Sequence, residues 1–171
     1  MCVFKQIKTI PDENFCYIPE ILKCFNKFSK FLHDDFTKND GVAYITNALP
    51  YLWAICDVKN HFMGFVILDN FTGNYNQKFS AEISVCFHPK AWGSYTRYCA
   101  KIFLKKCFDE FGLYKIKAQI FPDNYRVKRL LKSAGFKPEA IIPNETVRNG
   151  KVQNIEMYAI YRNYYYKNED I

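Results

Sequence analysis

The stretch from residue 80 to residue 120 constrains the fold most, because it switches between two hydrophobic periods with short connections. In SAEISVCFHP and in YKIKAQIF, polar and apolar residues alternate as they do in a half-buried strand. Between these segments, from about Ser94 to Phe111, apolar residues recur at helical spacing, and Gly112 follows the last of them. A strand, a helix and a strand joined this closely form a βαβ unit that is normally parallel and right-handed.

The rest of the chain supplies further strands and helices around this unit. YLWAICDV and FMGFVILDN flank the turn-like Lys59-Asn60-His61 and predict a hairpin. Apolar residues at helical spacing behind a proline predict a helix over Pro19–Phe36, and NYRVKRLLKSAGF predicts a short basic helix. Further strands are expected at Val3–Ile10, Phe136–Ile142 and Ile155–Tyr161, and the tail RNYYYKNEDI is expected to be solvated. We therefore expect a mixed α/β sheet of about six to seven strands with helices on both faces.

Length and composition set limits on domain number and compartment. The chain has 171 residues and a hydrophobic content of 49%, enough to build one domain with a substantial core. No linker-like or repeated segment divides it, so we expect residues 1–171 to form a single domain. No run reaches the ~18–20 apolar residues of a membrane span, and the N-terminus lacks the apolar core of a secretion signal. These features predict a cytoplasmic protein without membrane association.

Cysteine, histidine and charge content limit the chemistry. The seven cysteines are odd in number and include no CxxC pair, which favours reduced core thiols over disulfides. The three histidines show no spacing typical of a zinc site, so we expect no metal. A net charge of +7 indicates an anionic partner, a description that fits nucleic acid, an acidic protein and a phosphorylated cofactor alike.

The loop HPKAWGSYTRYCAK lies where the first strand of the βαβ unit leads into its helix. The first turn of a helix carries backbone N–H groups without intrahelical partners at the positive end of the helix dipole, so a diphosphate binds there favourably. Lys90 and Arg97 add positive charge. Taken alone, a single glycine favours a plainer interpretation, in which Gly93 turns the chain and Ser94 caps the helix.

Several short motifs between Ala81 and Phe136 occur together in a fixed order. They are the strand AEI, HPKAWG before the helix, FGLYKI at the helix-to-strand junction, PDN at the end of the next strand and LLKSAGF closing the short helix. In order and spacing, this segment resembles the GNAT superfamily of acetyl-CoA-dependent N-acetyltransferases. It resembles more closely the branch that includes the ribosomal-protein N-terminal acetyltransferases. The resemblance implies a GNAT-like fold and an acyltransferase that uses acetyl-CoA as its co-substrate.

The resemblance also implies which residues bind coenzyme A. The segment from Lys90 to Tyr95 matches the family's pyrophosphate-binding pattern, and the cofactor would lie between strands that part at Val85–His88 and Ile116–Phe121. Tyr95 departs from the pattern, which has a small residue there, so a ring that pointed at the diphosphate would block binding. The implied cofactor-binding residues are Cys86, Phe87, His88, Lys90, Gly93, Ser94, Tyr95, Thr96 and Asn124.

Glu82 is the candidate general base, because an amine must lose a proton before it attacks a thioester and a nearby carboxylate can accept it. An alternative interpretation places Glu82 in a cross-strand ion pair on a solvated face. A backbone N–H at a strand bulge near Val85–Phe87 would suffice to polarise the carbonyl. No acid for the leaving thiolate is assigned, since Leu131 stands where many relatives have a tyrosine. Direct transfer is favoured over a covalent route through Cys86.

The acceptor is expected to be an amine, and the branch resembled favours a protein or peptide N-terminus. A small-molecule amine and an aminoacyl-tRNA are the alternatives. Substrate choice is expected to depend on the first helix, on the following segment HDDFTKNDGVAYITNALP, and on the region around Asn144–Asn154. A degenerate GNAT fold that binds coenzyme A or RNA without turnover is the non-enzymatic alternative, since the short basic helix and YRNYYYK are compatible with weak nucleic-acid contacts. A monomer or a homodimer is expected.

Overall fold

Seven strands of the described residues form one sheet at the centre of the structure. The computed structural model describes residues 1–37 and 40–167 of the chain. The strands are β1 (Cys2–Ile7), β2 (Leu52–Asp57), β3 (Phe62–Gly73), β4 (Lys78–Phe87), β5 (Lys115–Ile120), β6 (Lys137–Arg148) and β7 (Lys151–Tyr161). Their order across the sheet is β1-β2-β3-β4-β5-β7-β6. Strands β4 and β5 are parallel and every other neighbouring pair is antiparallel, so the predicted mixed sheet with its βαβ unit is confirmed.

In the described part of the chain, five α-helices cover the two faces of this sheet. They are α1 (Ile18–Leu32), α2 (Gly41–Asn47), α3 (Ser94–Asp109), α4 (Tyr125–Ser133) and α5 (Arg162–Lys167). Helices α1 and α2 pack on one face around a core that includes Phe25, whereas α3, α4 and α5 pack on the other around a core that includes Phe103. Neighbouring residues of β4 belong to different cores, Cys86 to the first and Phe87 to the second. The prediction of helices on both faces is confirmed.

The βαβ unit opens a gap in the sheet. Strands β4 and β5 pair as far as Glu82 and Lys117 and no further. Beyond that point β4 stays paired with β3 up to Phe87, while β5 stays paired with β7 up to Ile120. The strands therefore part toward their carboxyl ends, where each leads into a helix. Ligands of α/β sheets bind at such an edge. Strand β5 parts within the expected segment Ile116–Phe121, whereas β4 parts directly after Glu82, before the expected segment Val85–His88.

The first helix and the segment after it differ from the prediction. Helix α1 ends at Leu32, four residues before its predicted end at Phe36. Asp34 accepts hydrogen bonds from the backbone N–H groups of the next turn and so holds the chain out of the helix. The segment after α1, expected to be a loop, contains α2, which begins after the N-cap residue Asp40. Residues 38 and 39 of that segment lie outside the described residues.

The strand lengths also differ from those predicted. Strand β1 ends at Ile7 rather than at Ile10. Strands β6 and β7 are longer than expected, because the polar segment NETVRNGK forms the end of their hairpin instead of a loop. Thr146 pairs with Gln153, and Arg148 pairs with Lys151. The tip of the hairpin holds Asn149 and Gly150 with positive φ angles, the backbone conformation that tight hairpin turns require.

The C-terminal tail was predicted to be solvated, and this is wrong for the part that the structure describes. Residues 162–167 form α5, and Tyr165 is buried against Phe108 with its ring centroid 5.3 Å away. The hydroxyl of Tyr165 donates to the carbonyl of Lys101 at 3.1 Å. Burial of the aromatic ring stabilises this short helix more than its polar composition suggests. Residues 168–171 lie outside the described residues.

Candidate active site

A cavity of about 310 Å³ opens where β4 and β5 part. Strand β4 lines it from Glu82 to Cys86, and β5 with the residues after it lines it from Ala118 to Phe121. The segment after α1 and the β6–β7 hairpin line it from the other side. Its lining carboxylates are Asp34, Glu82 and Glu145, and no lysine or arginine of the described chain is among its lining residues. An acidic cavity in a chain with a net charge of +7 favours a cationic ligand.

The free edge of β4 presents backbone groups to the gap. The N–H of His88 donates to the carbonyl of Met63 at the start of β3 at 2.8 Å. Because the backbone groups of successive residues point to opposite edges of a strand, those of Phe87 and Val85 point toward the gap. The indole Nε1 of Trp92 donates to the Phe87 carbonyl at 3.1 Å. The N–H and the carbonyl of Val85 lie deeper along the same edge, beside the cavity.

The strand bulge predicted near Val85–Phe87 is wrong. Strands β3 and β4 keep a single register from the pair Gly64–Phe87 to the pair Asp69–Glu82, all within the described residues. The first register shift lies beyond that point, between Asp69 and Thr72. A bulge is unnecessary here, because β5 has already diverged and leaves the edge of β4 without a neighbouring strand.

The loop between β4 and α3 ends at a helix N-terminus with free donors. A 3₁₀ turn over Pro89–Ala91 follows β4, and Gly93 is the N-cap of α3 with a φ of 106°. A Cβ on Gly93 would meet no atom within 4 Å, so it is the backbone conformation that requires glycine. No side chain caps the helix, and the N–H groups of residues 93–96 have no acceptor in the described chain. The plainer alternative, in which Ser94 caps the helix, is therefore wrong, and the free donors suit an anion.

The ring of Tyr95 points away from these free donors. Its hydroxyl donates to the carbonyl of Cys56 in β2 at 3.0 Å, and its ring packs against the core beneath α3. Strand β2 lies two strands from β4, on the side opposite to the gap. Burial raises the pKa of the Tyr95 hydroxyl, which stays a neutral donor. The large residue at this position therefore does not fill the space in front of the loop.

Most other predicted cofactor-binding side chains make hydrogen bonds within the protein. Asn124 lines the cavity, and its Oδ1 accepts from a backbone N–H of α4 at 3.3 Å. The Thr96 hydroxyl donates to a carbonyl of the preceding turn at 2.7 Å. The ring Nδ1 of His88 accepts from the N–H of Lys90 at 3.3 Å, and partial burial together with nearby lysines lowers the pKa of His88. These side chains shape the loop, and the exposed side chains of Lys90 and Ser94 are placed to meet an anion.

Cys86 is packed against a second thiol. Its Sγ lies 3.3 Å from the Sγ of Cys24 on α1, and both residues are buried. The contact with Cys24 and burial both raise the pKa of Cys86. A protonated, buried thiol is a poor nucleophile, so the packing agrees with the preference for direct transfer over a covalent route.

Glu82 is buried at the deep end of the gap rather than facing solvent. It is 9% exposed and lines the cavity. Its Oε2 accepts a hydrogen bond from the side-chain amide of Asn70 at 3.1 Å. No ion pair of Glu82 occurs among the described residues, although Lys117 is its neighbour in register on β5. The alternative of a solvated cross-strand ion pair is therefore not what the structure contains.

Two acidic residues that the sequence analysis does not single out, Asp34 and Asp35, bind the segment after α1 to the β6–β7 hairpin beside the cavity. The Oδ2 of Asp34 accepts from the Thr146 hydroxyl on β6 at 2.8 Å. Asp35 accepts from the backbone N–H groups of Asn149 and Gly150 at 2.9 and 2.8 Å. Burial alone would raise the pKa of Asp34, yet the hydrogen bonds from Thr146 and the adjacent turn lower it. The two segments expected to govern substrate choice thus contact each other. The sequence signal for this contact is the pair of aspartates directly after the first helix.

The cavity offers no obvious acid for a leaving thiolate. Leu131, which stands where many relatives have a tyrosine, is buried and lines the cavity with an apolar side chain. Tyr44 on α2 is the one tyrosine among the described lining residues, and burial raises its pKa to about 12. Tyr44 lies on the Glu82 side, since its hydroxyl interacts with Ser84. The sequence assigns no acid at position 131, and the structure has an apolar cavity wall there.

A comparison with protein families identifies the chain. Residues 19–137 match the family described as the acetyltransferase (GNAT) domain, which is well over half of the sequence. The chain belongs to the GNAT acetyltransferase family. This match confirms the prediction that the protein is an acyltransferase with acetyl-CoA as its co-substrate.

Solved structures show the fold that this GNAT chain shares with others. Spermidine N-acetyltransferase from Vibrio cholerae, in complex with CoA and spermine, matches with a TM-score of 0.75 and 18% identity, over 96% of this chain and 98% of that chain. A GNAT-family acetyltransferase from Bacillus anthracis matches with a TM-score of 0.72 and 17% identity, over 94% of each chain. At such identities the likeness concerns the fold alone. No curated protein sequence matches this chain significantly.

Within residues 1–37 and 40–167, no helix is both long and apolar enough to cross a membrane. In the same ranges, no group of three or more histidine, cysteine, aspartate or glutamate side chains is arranged to hold a metal ion.

Proposed function

We propose that this protein transfers the acetyl group of acetyl-CoA to a primary amine by direct attack in a ternary complex. The observation that carries the proposal is the meeting of the Glu82 carboxylate and the free edge of β4 in one cavity. The free N–H groups at the start of α3 lie on the same edge of the sheet. A base, a carbonyl-polarising donor and an anion site therefore occur together.

The residues around the gap fit coenzyme A on two grounds. The N–H groups of residues 93–96 need an acceptor that the described chain does not provide, and a diphosphate supplies several. The unpaired edge of β4 beside Val85 suits the amides of an extended arm, as a partial extra strand. Lys90 adds a positive charge at the loop. When bound, acetyl-CoA supplies a thioester carbonyl as the acyl donor.

The protein accepts a proton from the amine and stabilises charge on the thioester carbonyl. An ammonium group loses one proton to Glu82, and the nitrogen becomes a nucleophile. The N–H of Val85 on the free strand edge is placed to stabilise negative charge on the carbonyl oxygen. As the nitrogen–carbon bond forms and the carbon–sulfur bond breaks, the second nitrogen proton goes to the sulfur. The residues of α4 that line the cavity are Val127 and Leu131. Because both side chains are apolar, this proton does not come from α4.

The charge of the cavity supports a small cationic amine as the acceptor. Asp34, Glu82 and Glu145 line it without a lysine or arginine among the described lining residues. An acceptor with a second positive charge would keep a favourable interaction after its reacting nitrogen loses a proton. The similarly folded Vibrio cholerae protein is named a spermidine N-acetyltransferase, which makes polyamines the first acceptors to test.

A protein or peptide N-terminus, the acceptor favoured by the branch that the sequence resembles, is the second candidate. Exposed aromatic residues support it: Phe31 lines the cavity and is 53% exposed, and Phe36, between the lining residues Asp34 and Thr37 in sequence, is 74% exposed. A peptide needs such contact surface beyond the reacting amine. Exposed aromatic side chains at a cavity rim are suited to the first side chains of an acceptor peptide.

A panel of amines tests the proposal and separates the acceptor classes. Release of free thiol from acetyl-CoA is followed with spermidine, with a monoamine of similar length and with short peptides that have free or blocked N-termini. Turnover of spermidine well above the monoamine is expected from the acidic cavity. Turnover only of free-N-terminus peptides would select the second candidate. Stabilisation by acetyl-CoA without turnover of any amine would favour a binding protein that lacks catalysis.

Some predictions from the sequence stay predictions. They are that residues 1–171 form one domain, that the protein is cytoplasmic, and that it is a monomer or a homodimer. The RNA-binding alternative also remains, although the charge of the basic helix is partly neutralised. Lys128 is bound to Glu156 at 2.7 Å, which leaves fewer free cations on α4 for phosphate contacts.

A further inference from the structure

The backbone directly behind Glu82 is irregular. The regular register of β3 with β4 ends at the pair Asp69–Glu82 and resumes with a shift at Thr72. Asn70, between them, has a φ of 44°, a left-handed conformation that is uncommon for residues other than glycine. Bulges of this kind are enriched next to active sites, where they redirect a side chain. The irregularity is therefore expected to redirect a side chain close to Glu82.

The side chain of Asn70 points to the candidate base. Its Nδ2 donates to the Oε2 of Glu82 at 3.1 Å. The bond fixes one carboxylate oxygen and leaves the other oxygen for the cavity that Glu82 lines. Asparagine tolerates the left-handed conformation better than most residues, so it can supply an amide donor from this strained position.

Asp69 lies directly opposite Glu82 on the neighbouring strand. Cβ atoms of such opposite residues are about 4.5–5.5 Å apart, and like charges there repel each other. Asp69 is half-buried, and its Oδ1 is buried without a hydrogen-bond partner in the described chain. Two acidic side chains thus face each other where water has little access.

Two other titratable groups act on this pair. Lys117 on β5 is the neighbour of Glu82 in register on the other side, and Tyr44 on α2 approaches from the covering helix. Burial and then the charge of Glu82 raise the pKa of Asp69 to about 6, with Lys117 acting in the opposite direction. Burial raises the pKa of Tyr44 to about 12, with smaller contributions from Asp69 and Glu82. The charge of Glu82 therefore acts on Asp69, and Lys117 only partly compensates it.

We propose that Asp69 and Glu82 act as one coupled base, in which Glu82 takes the proton of the acceptor amine, Asp69 shares it, and Asn70 holds Glu82 in place. This rests on the proposed acetyl transfer and adds two positioning residues, Asp69 and Asn70, that touch neither substrate. The amine nitrogen loses one proton, and the pair changes from two negative charges to one. The proton then lies between the two carboxyl groups until it returns to solvent.

The arrangement has a chemical advantage for a base that works near neutral pH. An isolated carboxylate is a weak base there, because its pKa lies far below the pH of the medium. A second carboxylate close by increases the proton affinity of the pair, and the protons leave in two steps that belong to the pair rather than to either residue. Repulsion between Asp69 and Glu82 would thus be used to capture the amine proton.

Carboxyl ¹³C NMR of the full chain without substrate tests the coupling directly. The side-chain carboxyl signal of Asp69 is expected to titrate at about pH 6, because burial and the charge of Glu82 raise its pKa. In Glu82→Gln, which removes that charge, the Asp69 signal is expected to titrate about one pH unit lower. Asp57→Asn, which removes a carboxylate paired with His61 at 2.9 Å, is the control and should leave the Asp69 titration in place. An Asp69 signal that Glu82→Gln does not move would overturn the coupled base.

Kinetics separate positioning from a merely structural role. Asn70→Gly keeps the left-handed backbone accessible and removes only the amide, so a loss of about tenfold in kcat is expected without a change in KM for acetyl-CoA. In Asp69→Asn, the ascending limb of the pH–rate profile should move to lower pH, whereas a residue needed only for folding would reduce the plateau and leave the limb in place. If the wild type acetylates no amine, the proposed function fails, while the NMR titration still decides whether the pair is coupled.

Discussion

The two sides of the gap between β4 and β5 are built in different ways. The cofactor side consists of backbone groups from a short continuous segment: the edge of β4, the turn after it and the first N–H groups of α3. The acceptor side is assembled from side chains that are far apart in sequence, such as Asp34 and Thr146, which are 112 positions apart. A contiguous backbone site binds a constant ligand, whereas a wall of distant side chains can vary with the acceptor.

The largest expected effect comes from Glu82→Gln, because this change removes the proposed base without altering the size of the side chain. We expect turnover to fall by about 100-fold, since a positioned general base contributes at least that much. The affinity for acetyl-CoA should stay within about twofold of the wild-type value, because the Glu82 carboxylate lies on the acceptor side of the gap. Steady-state kinetics and calorimetric titration with acetyl-CoA measure the two quantities.

The matched control for this change is Glu110→Gln, at the far end of α3, which should alter neither quantity. An equal loss of turnover and of cofactor affinity in Glu82→Gln would mean that Glu82 supports the structure of the gap. The assignment of Glu82 to the acceptor side alone would then be wrong.

The second prediction concerns the cofactor side. Gly93→Ala places a Cβ on a residue with a φ of 106°, where an L-residue is strained and the loop must rearrange. We expect the affinity for acetyl-CoA to fall by about tenfold, with little change in kcat at saturating cofactor. Thermal-shift titration with coenzyme A and steady-state kinetics check both parts.

Gly112→Ala is the control for that experiment. Gly112 also has a positive φ, of 65°, and a Cβ there would also meet no atom within 4 Å, but it lies after the far end of α3. It should reduce stability to a similar degree and leave cofactor affinity unchanged. A loss of affinity in both variants would show that the effect is general destabilisation.

The difference between the sides also explains what the sequence could predict. The strands and the loop could be predicted because local periodicity and contiguous motifs encode them. The resemblance to the GNAT superfamily implied that the strands part and supported Glu82 as the candidate base. The direction of the Tyr95 ring could not be predicted, since it depends on a hydrogen bond to Cys56, which is 39 positions away. The fixing of the segment after α1 by Asp34 and Asp35 was missed for the same reason, because capping carboxylates reveal their partners only in three dimensions.

The third prediction tests the acceptor wall. Asp35→Ala removes the acceptor for two N–H groups of the β6–β7 hairpin, and so loosens the segment that closes the cavity. We expect KM for the amine to rise by about fivefold, with unchanged affinity for acetyl-CoA. Asp12→Ala removes a comparable capping carboxylate, which accepts from the N–H groups of Lys8 and Asn14, and should leave KM unchanged. A rise in KM in both variants would contradict a specific role for Asp35.

The smallest expected effect is a gain. Leu131→Tyr places a hydroxyl on the apolar wall, where many relatives have a tyrosine, and so offers an acid to the leaving thiolate. We expect kcat to rise by about two- to threefold. Leu131→Phe adds the same ring without the hydroxyl and is expected to give no gain. Equal rates in the two variants would show that protonation of the sulfur does not limit turnover.

The most direct test of the account is a ¹H–¹⁵N correlation experiment on the full chain, titrated with coenzyme A. If the gap is the acyl-donor site, the amide signals of residues 93–96 and of Val85 should shift most, because their N–H groups face the ligand. The signals of Asn149 and Gly150, which the acceptor side binds through Asp35, should shift little. Shifts centred on the β6–β7 hairpin, with residues 93–96 unaffected, would contradict the account.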